Sequence, residues 1–140
     1  MKTIAFATII AISLATYAAA QEESRPGVTI AEKKAMSPRL NDLAVATGIT
    51  DKQPDGASNS FSASDGKLYC WSSLFHDGEE TTVKHIWRRG DTVYAEHEKP
   101  VRKSARWRTW SRQRVVPGEW SCEVVDAAGE SLGKAEFTVQ

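Results

Sequence analysis

Two cysteines and the tryptophans around them constrain the fold of this chain more than any other feature. Trp87 lies between Cys70 and Cys122, and Trp120 precedes the second cysteine by two residues. This order of cysteine, strand tryptophan and cysteine is typical of two β-sheets that a disulfide joins across the core. We therefore predict a disulfide between Cys70 and Cys122. Two buried thiols that pack as small apolar groups are the alternative.

The N-terminal segment has the features of a secretory signal peptide. Lys2 supplies a positive charge, residues 4–14 are mostly apolar, and residues 18–20 are alanines, which a signal peptidase accepts. The apolar run is shorter than the roughly 20 residues of a membrane-spanning helix. We predict a signal peptide over residues 1–20 and a periplasmic or secreted mature chain without a transmembrane anchor. A retained N-terminal anchor is the alternative.

The remaining chain divides into a short tether and one β domain. Residues 21–39 are charged and weakly patterned, which predicts a flexible or partly helical tether. From residue 40 onward, short alternating runs are separated by turn sequences, which is the pattern of an all-β fold. We predict an immunoglobulin- or fibronectin-like antiparallel β-sandwich of about seven or eight strands over residues 40–140. Residues 67–75 carry apolar side chains on both faces and should form a central strand.

A series of short motifs occurs in a recognisable order along the predicted domain. The motifs are Leu43-Ala-Val-Ala-Thr-Gly-Ile-Thr-Asp-Lys-Gln-Pro54, Leu68-Tyr-Cys-Trp71, His85-Ile-Trp87, Trp107-Arg-Thr-Trp-Ser111, Gly118-Glu-Trp120, Val124-Val-Asp-Ala-Ala-Gly129 and Phe137-Thr-Val139. Their order resembles a bacterial family of domains of unknown function, family 2914, over nearly all of residues 40–140. The resemblance implies a small all-β domain of the cell envelope. It implies no ligand and no catalytic residue.

One predicted strand carries arginines at alternate positions around a tryptophan: Arg106, Arg108, Trp110, Arg112 and Arg114. Alternate residues of a strand share a face, so four guanidinium groups and an indole should lie together. Such a face can bind an acidic glycan, a phosphate-bearing envelope lipid or an acidic protein through bidentate contacts and stacking. The alternative is a purely structural face, with arginines lying over indoles and paired with carboxylates of adjacent strands.

The three histidines do not predict a metal site. A hairpin register with Arg88 opposite Asp91 would place His97 too far from His85 for both to bind one ion. His76 lies in a predicted turn beside acidic residues, which indicates a surface position. His85 shares a strand face with the core tryptophan that follows it, so we expect a core histidine with a neutral ring and no bound metal.

Composition and motifs also argue against other functions. The 18 basic and 18 acidic residues give a formal net charge of zero, so we expect no nucleic-acid partner. No serine lies in a nucleophile-elbow sequence, and the carboxylate pairs Glu79-Glu80 and Glu96/Glu98 lie in a turn or on a hairpin edge, so we expect no enzyme activity and no catalytic residue. We also expect no cofactor. The sequence favours a non-catalytic exported module for binding or assembly, in contact with an acidic glycan or a protein partner. The alternatives are a purely structural accessory domain and a cell-wall polymer hydrolase.

Overall fold

The computed structural model describes residues 25–31 and 37–140. The predicted signal peptide over residues 1–20 lies outside the described residues, as does part of the predicted tether over residues 21–39. The described part of the tether includes a three-residue strand that pairs with the last strand of the domain. No helix among the described residues is long and apolar enough to cross a membrane.

Eleven strands and one 3-10 helix make up the regular structure of the described residues. The strands are β1 (Val28–Ile30), β2 (Arg39–Ala46), β3 (Gly48–Thr50), β4 (Gln53–Asp55), β5 (Ser60–Phe61), β6 (Lys67–His76), β7 (Thr81–Arg89), β8 (Thr92–Val101), β9 (Ser104–Arg114), β10 (Gly118–Val125) and β11 (Ser131–Val139). The 3-10 helix spans Ala63–Asp65, between β5 and β6. The predicted all-β class is confirmed, although the short strands bring the total above the predicted number.

The strands form two main sheets that pack face to face. One has the order β1-β11-β10-β7-β8, with the short β5 running parallel to β11, and the other has the order β2-β6-β9. The hairpin β3–β4 forms a separate two-stranded ribbon. β2, β6 and β9, the first, second and fifth of the long strands, share a sheet, as strands A, B and E do in immunoglobulin domains. β8, the fourth long strand, lies in the opposite sheet, whereas strand D of an immunoglobulin constant domain shares the sheet of A, B and E. β6 is central in its sheet, as predicted from its two apolar faces.

A disulfide and four aromatic rings occupy the middle of the core. Cys70 on β6 and Cys122 on β10 form the predicted disulfide, which links the two sheets with a Cα–Cα distance of 6.5 Å. Trp87 is the strand partner of Cys122 and is fully buried. Phe137 makes ring contacts with Phe61, Trp87 and Trp120. In the chain-entropy model, closing a loop of this length stabilises the fold by about 4 kcal/mol.

Trp120 also fixes the chain at the entry to β10. Its indole Nε1 donates a hydrogen bond of 2.8 Å to the carbonyl oxygen of Val116. Immunoglobulin domains place a tyrosine at the same position, two residues before the second cysteine, and its hydroxyl bonds to backbone a few residues upstream. Here an indole N–H makes the equivalent contact, which explains why a tryptophan stands two residues before Cys122.

The turn between β7 and β8 differs from the predicted one. The sequence register placed Arg88 opposite Asp91, whereas the structure places Arg89 opposite Thr92. This pairing makes Gly90 and Asp91 the two central residues of the turn, and Gly90, the first of them, has a φ of 58°. Glycine at this position is typical of a type II′ hairpin, whose handedness matches the twist of the strands.

A β-bulge shifts the same hairpin further. The register changes between Trp87 and Arg88, and Tyr94 is the additional residue on β8. As a result His85 lies directly opposite His97, so the predicted separation of these two histidines was wrong. The physical reason is that a bulge moves every later pair along the strand, and the alternating pattern does not reveal it.

Candidate functional site

The predicted alternation along β9 is present in the structure. Ser111 is buried against the opposite sheet, and Trp107 packs against the core. The other set of alternate side chains therefore lies on the outer face of the three-stranded sheet. We call this set the Arg/Trp face, and its members are Arg106, Arg108, Trp110, Arg112 and Arg114. The arginines at positions 106, 112 and 114 are exposed, whereas Arg108 and Trp110 are half-buried.

The strand next to the Arg/Trp face presents no acidic side chain to it. On β6, Ser73 lies opposite Arg108, Tyr69 opposite Arg112, and Lys67 opposite Arg114. The last of these pairs joins two positive charges, and like charges directly opposite each other destabilise a sheet. The β6 neighbours of these three arginines are therefore neutral or positively charged.

None of the four arginines of the Arg/Trp face forms an ion pair with a carboxylate among residues 25–31 and 37–140. The ion pairs of that part of the chain involve other cations, namely Arg25, Lys84, Arg88, Arg102 and Lys134. The purely structural alternative predicts pairing with acids of adjacent strands, and no such ion pair of these four arginines occurs between described residues.

Trp110 is the half-exposed partner of a second tryptophan. Trp71 lies opposite it on β6 and is only 2 % exposed, because the hairpin β3–β4 packs over it. The indole Nε1 of Trp71 donates a hydrogen bond of 2.8 Å to the carbonyl oxygen of Lys52 at the tip of that hairpin. The hairpin therefore covers one ring of this tryptophan pair. The other ring keeps part of its surface in solvent.

The hairpin that covers Trp71 has an unusual turn. Its two central residues, Asp51 and Lys52, have φ values of 51° and 62°. Positive φ at both central positions is typical of a type I′ turn, which usually takes asparagine or aspartate first and glycine second. Asp51 fits this preference, whereas for Lys52 the left-handed conformation costs roughly 1–2 kcal/mol. The hydrogen bond from Trp71 and the packing of the hairpin offset that cost.

Arg39 is a further cation of the outer face, and the sequence did not point to it. The guanidinium carbon of Arg39, on β2, lies 4.2 Å from the centroid of the Phe75 ring. Its Nε atom is buried and has no hydrogen-bond partner within the described part of the chain. Arg39 and Phe75 are strand partners and share the outer face with the Arg/Trp face. Only the pairing of β2 with β6 reveals this contact, and no local sequence signal predicts it.

Asp42, also on β2, is already paired on the outer side of this sheet. Both of its carboxylate oxygens accept hydrogen bonds from Arg25, at 3.1 Å and 2.9 Å. Arg25 thus neutralises this acid without help from the Arg/Trp face.

A chain of hydrogen bonds fixes His85 in the core. Trp87 Nε1 donates to Ser111 Oγ at 3.0 Å, and Ser72 Oγ donates to the carbonyl oxygen of Thr109 at 3.2 Å. His85 Nδ1 lies 2.8 Å from the Ser111 hydroxyl, and Nε2 lies 3.1 Å from the Ser72 hydroxyl. Because the Ser72 hydroxyl proton is already donated to the Thr109 carbonyl oxygen, Ser72 accepts a hydrogen bond from Nε2–H of His85. Ser111 then donates its hydroxyl proton to Nδ1. The ring is therefore neutral, as predicted, and both nitrogens are satisfied.

Burial makes the charged form of His85 unfavourable. Desolvation, with smaller contributions from the positive charges of Lys99 and His97, lowers the pKa of His85 from 6.5 to about 3. A serine hydroxyl on a histidine nitrogen is the pair that nucleophilic catalysis uses. Here His85 and both serines are at most 2 % exposed, so no substrate reaches them in this structure.

The same core region gathers three side chains that can ligate metals. Ligand atoms of Cys70, His85 and Cys122 all lie within 4.8 Å of one another. In the disulfide-bonded protein the two sulfur atoms are joined to each other and hold no free thiolate. This cluster lies in the interior, on the opposite side of the three-stranded sheet from the Arg/Trp face.

A cavity lies beside β1 and β2, away from the Arg/Trp face. Its volume is about 220 Å³, and its lining includes Arg25, Val28, Ala44, Asn59 and Glu136. Small-molecule sites usually enclose roughly 300–1,000 Å³. The lining contains one carboxylate and no histidine, so it lacks the pair of acidic groups that a glycoside hydrolase uses.

Comparison with known proteins gives a family without an assigned activity. No curated protein matches the chain. The sequence profile of the family described as "Protein of unknown function (DUF2914)" matches residues 80–139. This stretch contains β7 to β11, and with them Trp87, the Arg/Trp face and Cys122. The sequence resemblance to this family is thus confirmed over residues 80–139, the C-terminal part of the domain.

Proposed function

We propose that this protein is a non-catalytic, exported binding module whose Arg/Trp face binds an acidic glycan. One observation carries the proposal: four arginines without ion-pair partners among the described residues alternate along one strand around a half-buried tryptophan. Export is supported by the disulfide, because such bonds persist in oxidising compartments and are rare in the cytosol.

The spacing of the arginines suits a repeating ligand. Alternate residues of a strand are about 7 Å apart, so the Arg/Trp face forms a regular row of roughly 27 Å. A polymer with carboxylates at intervals along its length can contact several guanidinium groups at once, and each contact can be bidentate. The exposed part of Trp110 supplies an apolar surface between Arg108 and Arg112, on which a sugar ring can stack. An acidic glycan therefore uses both components of this face.

A purely structural role is the second candidate, and one observation favours it. β9 is an edge strand of its sheet. Positive side chains on edge strands discourage unwanted pairing with the strands of other molecules. In that case the arginines would protect the edge and bind no specific ligand.

Titration with acidic oligosaccharides tests the proposal. Oligogalacturonate would be added to the disulfide-bonded protein and binding measured by calorimetry, with neutral dextran oligosaccharides as the reference ligand. Replacing Arg108 and Arg112 by glutamine removes two contacts of about 1 kcal/mol each, which should weaken binding roughly 30-fold. The matched control replaces Lys84 and Lys134, on the outer face of the other sheet, by glutamine. This control removes the same charge and should leave binding unchanged.

Two results would contradict the proposal. Equal binding by the Arg108/Arg112 variant and the lysine control would show that only net charge matters. Binding of poly-glutamate without binding of oligogalacturonate would favour a protein partner. Light scattering by the same variants tests the second candidate, because arginines that protect the edge strand should prevent pairing with other molecules. Aggregation of the arginine variant alone, without aggregation of the lysine control, would therefore support a structural role.

A further inference from the structure

Three residues from three strands bring metal-ligating atoms together in the centre of the core. Cys70 is on β6, His85 on β7 and Cys122 on β10, so both sheets contribute. Their ligand atoms lie within 4.8 Å of one another, and all three side chains are fully buried. Two thiolates and one imidazole form a ligand set that zinc commonly takes in proteins.

We propose that the reduced form of this protein binds a thiophilic divalent metal ion, such as Zn²⁺, through Cys70, Cys122 and His85. The disulfide-bonded form and the metal-bound form exclude each other, because the metal binds thiolates and disulfide-bonded cysteines have none. The site is independent of the Arg/Trp face, and the failure of one proposal leaves the other standing.

A dithiol reductant can convert the disulfide-bonded form into the reduced form, with electrons and protons in balance. The reductant supplies two electrons and two protons, the bond between Cys70 and Cys122 breaks, and the reductant becomes a disulfide. Each cysteine then carries one thiol proton. The metal ion replaces both protons as two metal–sulfur bonds form, and the protons pass to solvent. A disulfide oxidant reverses these steps and expels the metal.

The hydrogen bonds of His85 provide the support that a ligating imidazole needs. Each ring nitrogen faces a serine hydroxyl, Ser111 at Nδ1 and Ser72 at Nε2. When one nitrogen binds the metal, the other keeps its serine, which holds the ring in orientation, as outer-shell partners do in known sites. The hydroxyl that is released, or a water molecule, can take the fourth position.

Burial determines when the metal can enter. Because the ligands are fully buried in the folded protein, we expect the metal to bind as the reduced chain folds. A reduced chain refolded with metal should therefore hold it, whereas metal added to the oxidised native protein should remain outside.

Refolding under reducing conditions tests this inference. The full chain would be unfolded in a phosphine reductant, refolded without oxygen in the presence of Zn²⁺ or Co²⁺, and analysed by native mass spectrometry and absorption spectroscopy. We expect one metal ion per reduced chain, a thiolate-to-cobalt charge-transfer band, and no bound metal in the oxidised protein. His85→Gln should weaken metal binding at least 10-fold. The matched control, His97→Gln, removes the histidine opposite and should retain binding.

The proposal fails if the reduced chain, refolded in the presence of Zn²⁺, contains no bound metal. It also fails if both thiols of that refolded chain remain freely alkylated. It also fails if His85→Gln binds zinc as tightly as the unaltered protein. Should that variant not fold, the cobalt spectrum of the unaltered protein decides the matter, because a spectrum without thiolate ligation contradicts the site.

Discussion

The buried imidazole of His85 should make this protein less stable in mildly acidic solution. Its pKa is about 3 in the folded protein, against an ordinary value of 6.5. Between these two values the unfolded chain binds a proton that the folded chain does not. The stabilising contribution of the neutral ring is therefore complete above pH 6.5 and is lost as the pH falls towards 3.

The size of the effect follows from the unfolded state. At about pH 5, the unfolded imidazole is almost fully protonated, while the folded one is still neutral. Protonation of the unfolded chain then lowers the free energy of unfolding by about 2 kcal/mol relative to neutral pH. This figure depends on the unfolded pKa alone, as long as the folded pKa stays well below 5. Protonation of the folded ring would also place a proton on Nδ1, where Ser111 now donates its own.

Urea unfolding at neutral pH and at about pH 5, followed by tryptophan fluorescence, measures this difference. His85→Gln should lower stability at both pH values, because it alters the hydrogen-bond chain, but the dependence of about 2 kcal/mol on pH should disappear. His97→Gln, which changes the half-buried histidine opposite, should keep that dependence. The reasoning is refuted if the unaltered protein is equally stable at both pH values. It is also refuted if His85→Gln loses the same free energy on acidification.

Two further predictions concern the backbone. Lys52→Gly should raise the free energy of unfolding by about 1 kcal/mol in urea denaturation, because glycine adopts a φ of 62° without steric cost. Lys103→Gly, in the loop between β8 and β9, should give no such gain, and an equal gain there would contradict the turn argument. Trp120→Phe should lower the melting temperature through loss of about 1 kcal/mol, because the Val116 carbonyl loses its indole donor. An unchanged melting temperature would show that this hydrogen bond contributes nothing.

The features predicted correctly from the sequence are those that local periodicity determines. Alternation with a period of two fixed which side chains of β9 lie outside and which face the core. The same rule identified β6 as a central strand, because apolar residues occupy both of its faces. The positions of Cys70, Trp87 and Cys122 predicted the disulfide between the sheets, since a chain that pairs its sheets in this order must bring those strands together.

The features that the sequence did not reveal depend on how strands pair with one another. The bulge at Tyr94 leaves the alternating pattern intact and yet moves His97 opposite His85. The Lys99-Pro100 sequence is typical of the end of a strand, although β8 continues through it. Proline is tolerated there because β8 is an edge strand of its sheet, and only one side of an edge strand takes part in the ladder. The contact of Arg39 with Phe75 likewise requires the β2–β6 pairing.

The pairing of β9 with β6 has a consequence for how this domain can be divided. Among the described strands, β9 pairs only with β6, and β6 ends before residue 80, where the family match begins. A fragment that starts there would leave the Arg/Trp strand without any partner and Cys122 without its disulfide. The stretch that the family model matches is therefore shorter than the unit that folds. β6 lies outside that stretch, and β9 inside it requires β6 as its pairing partner.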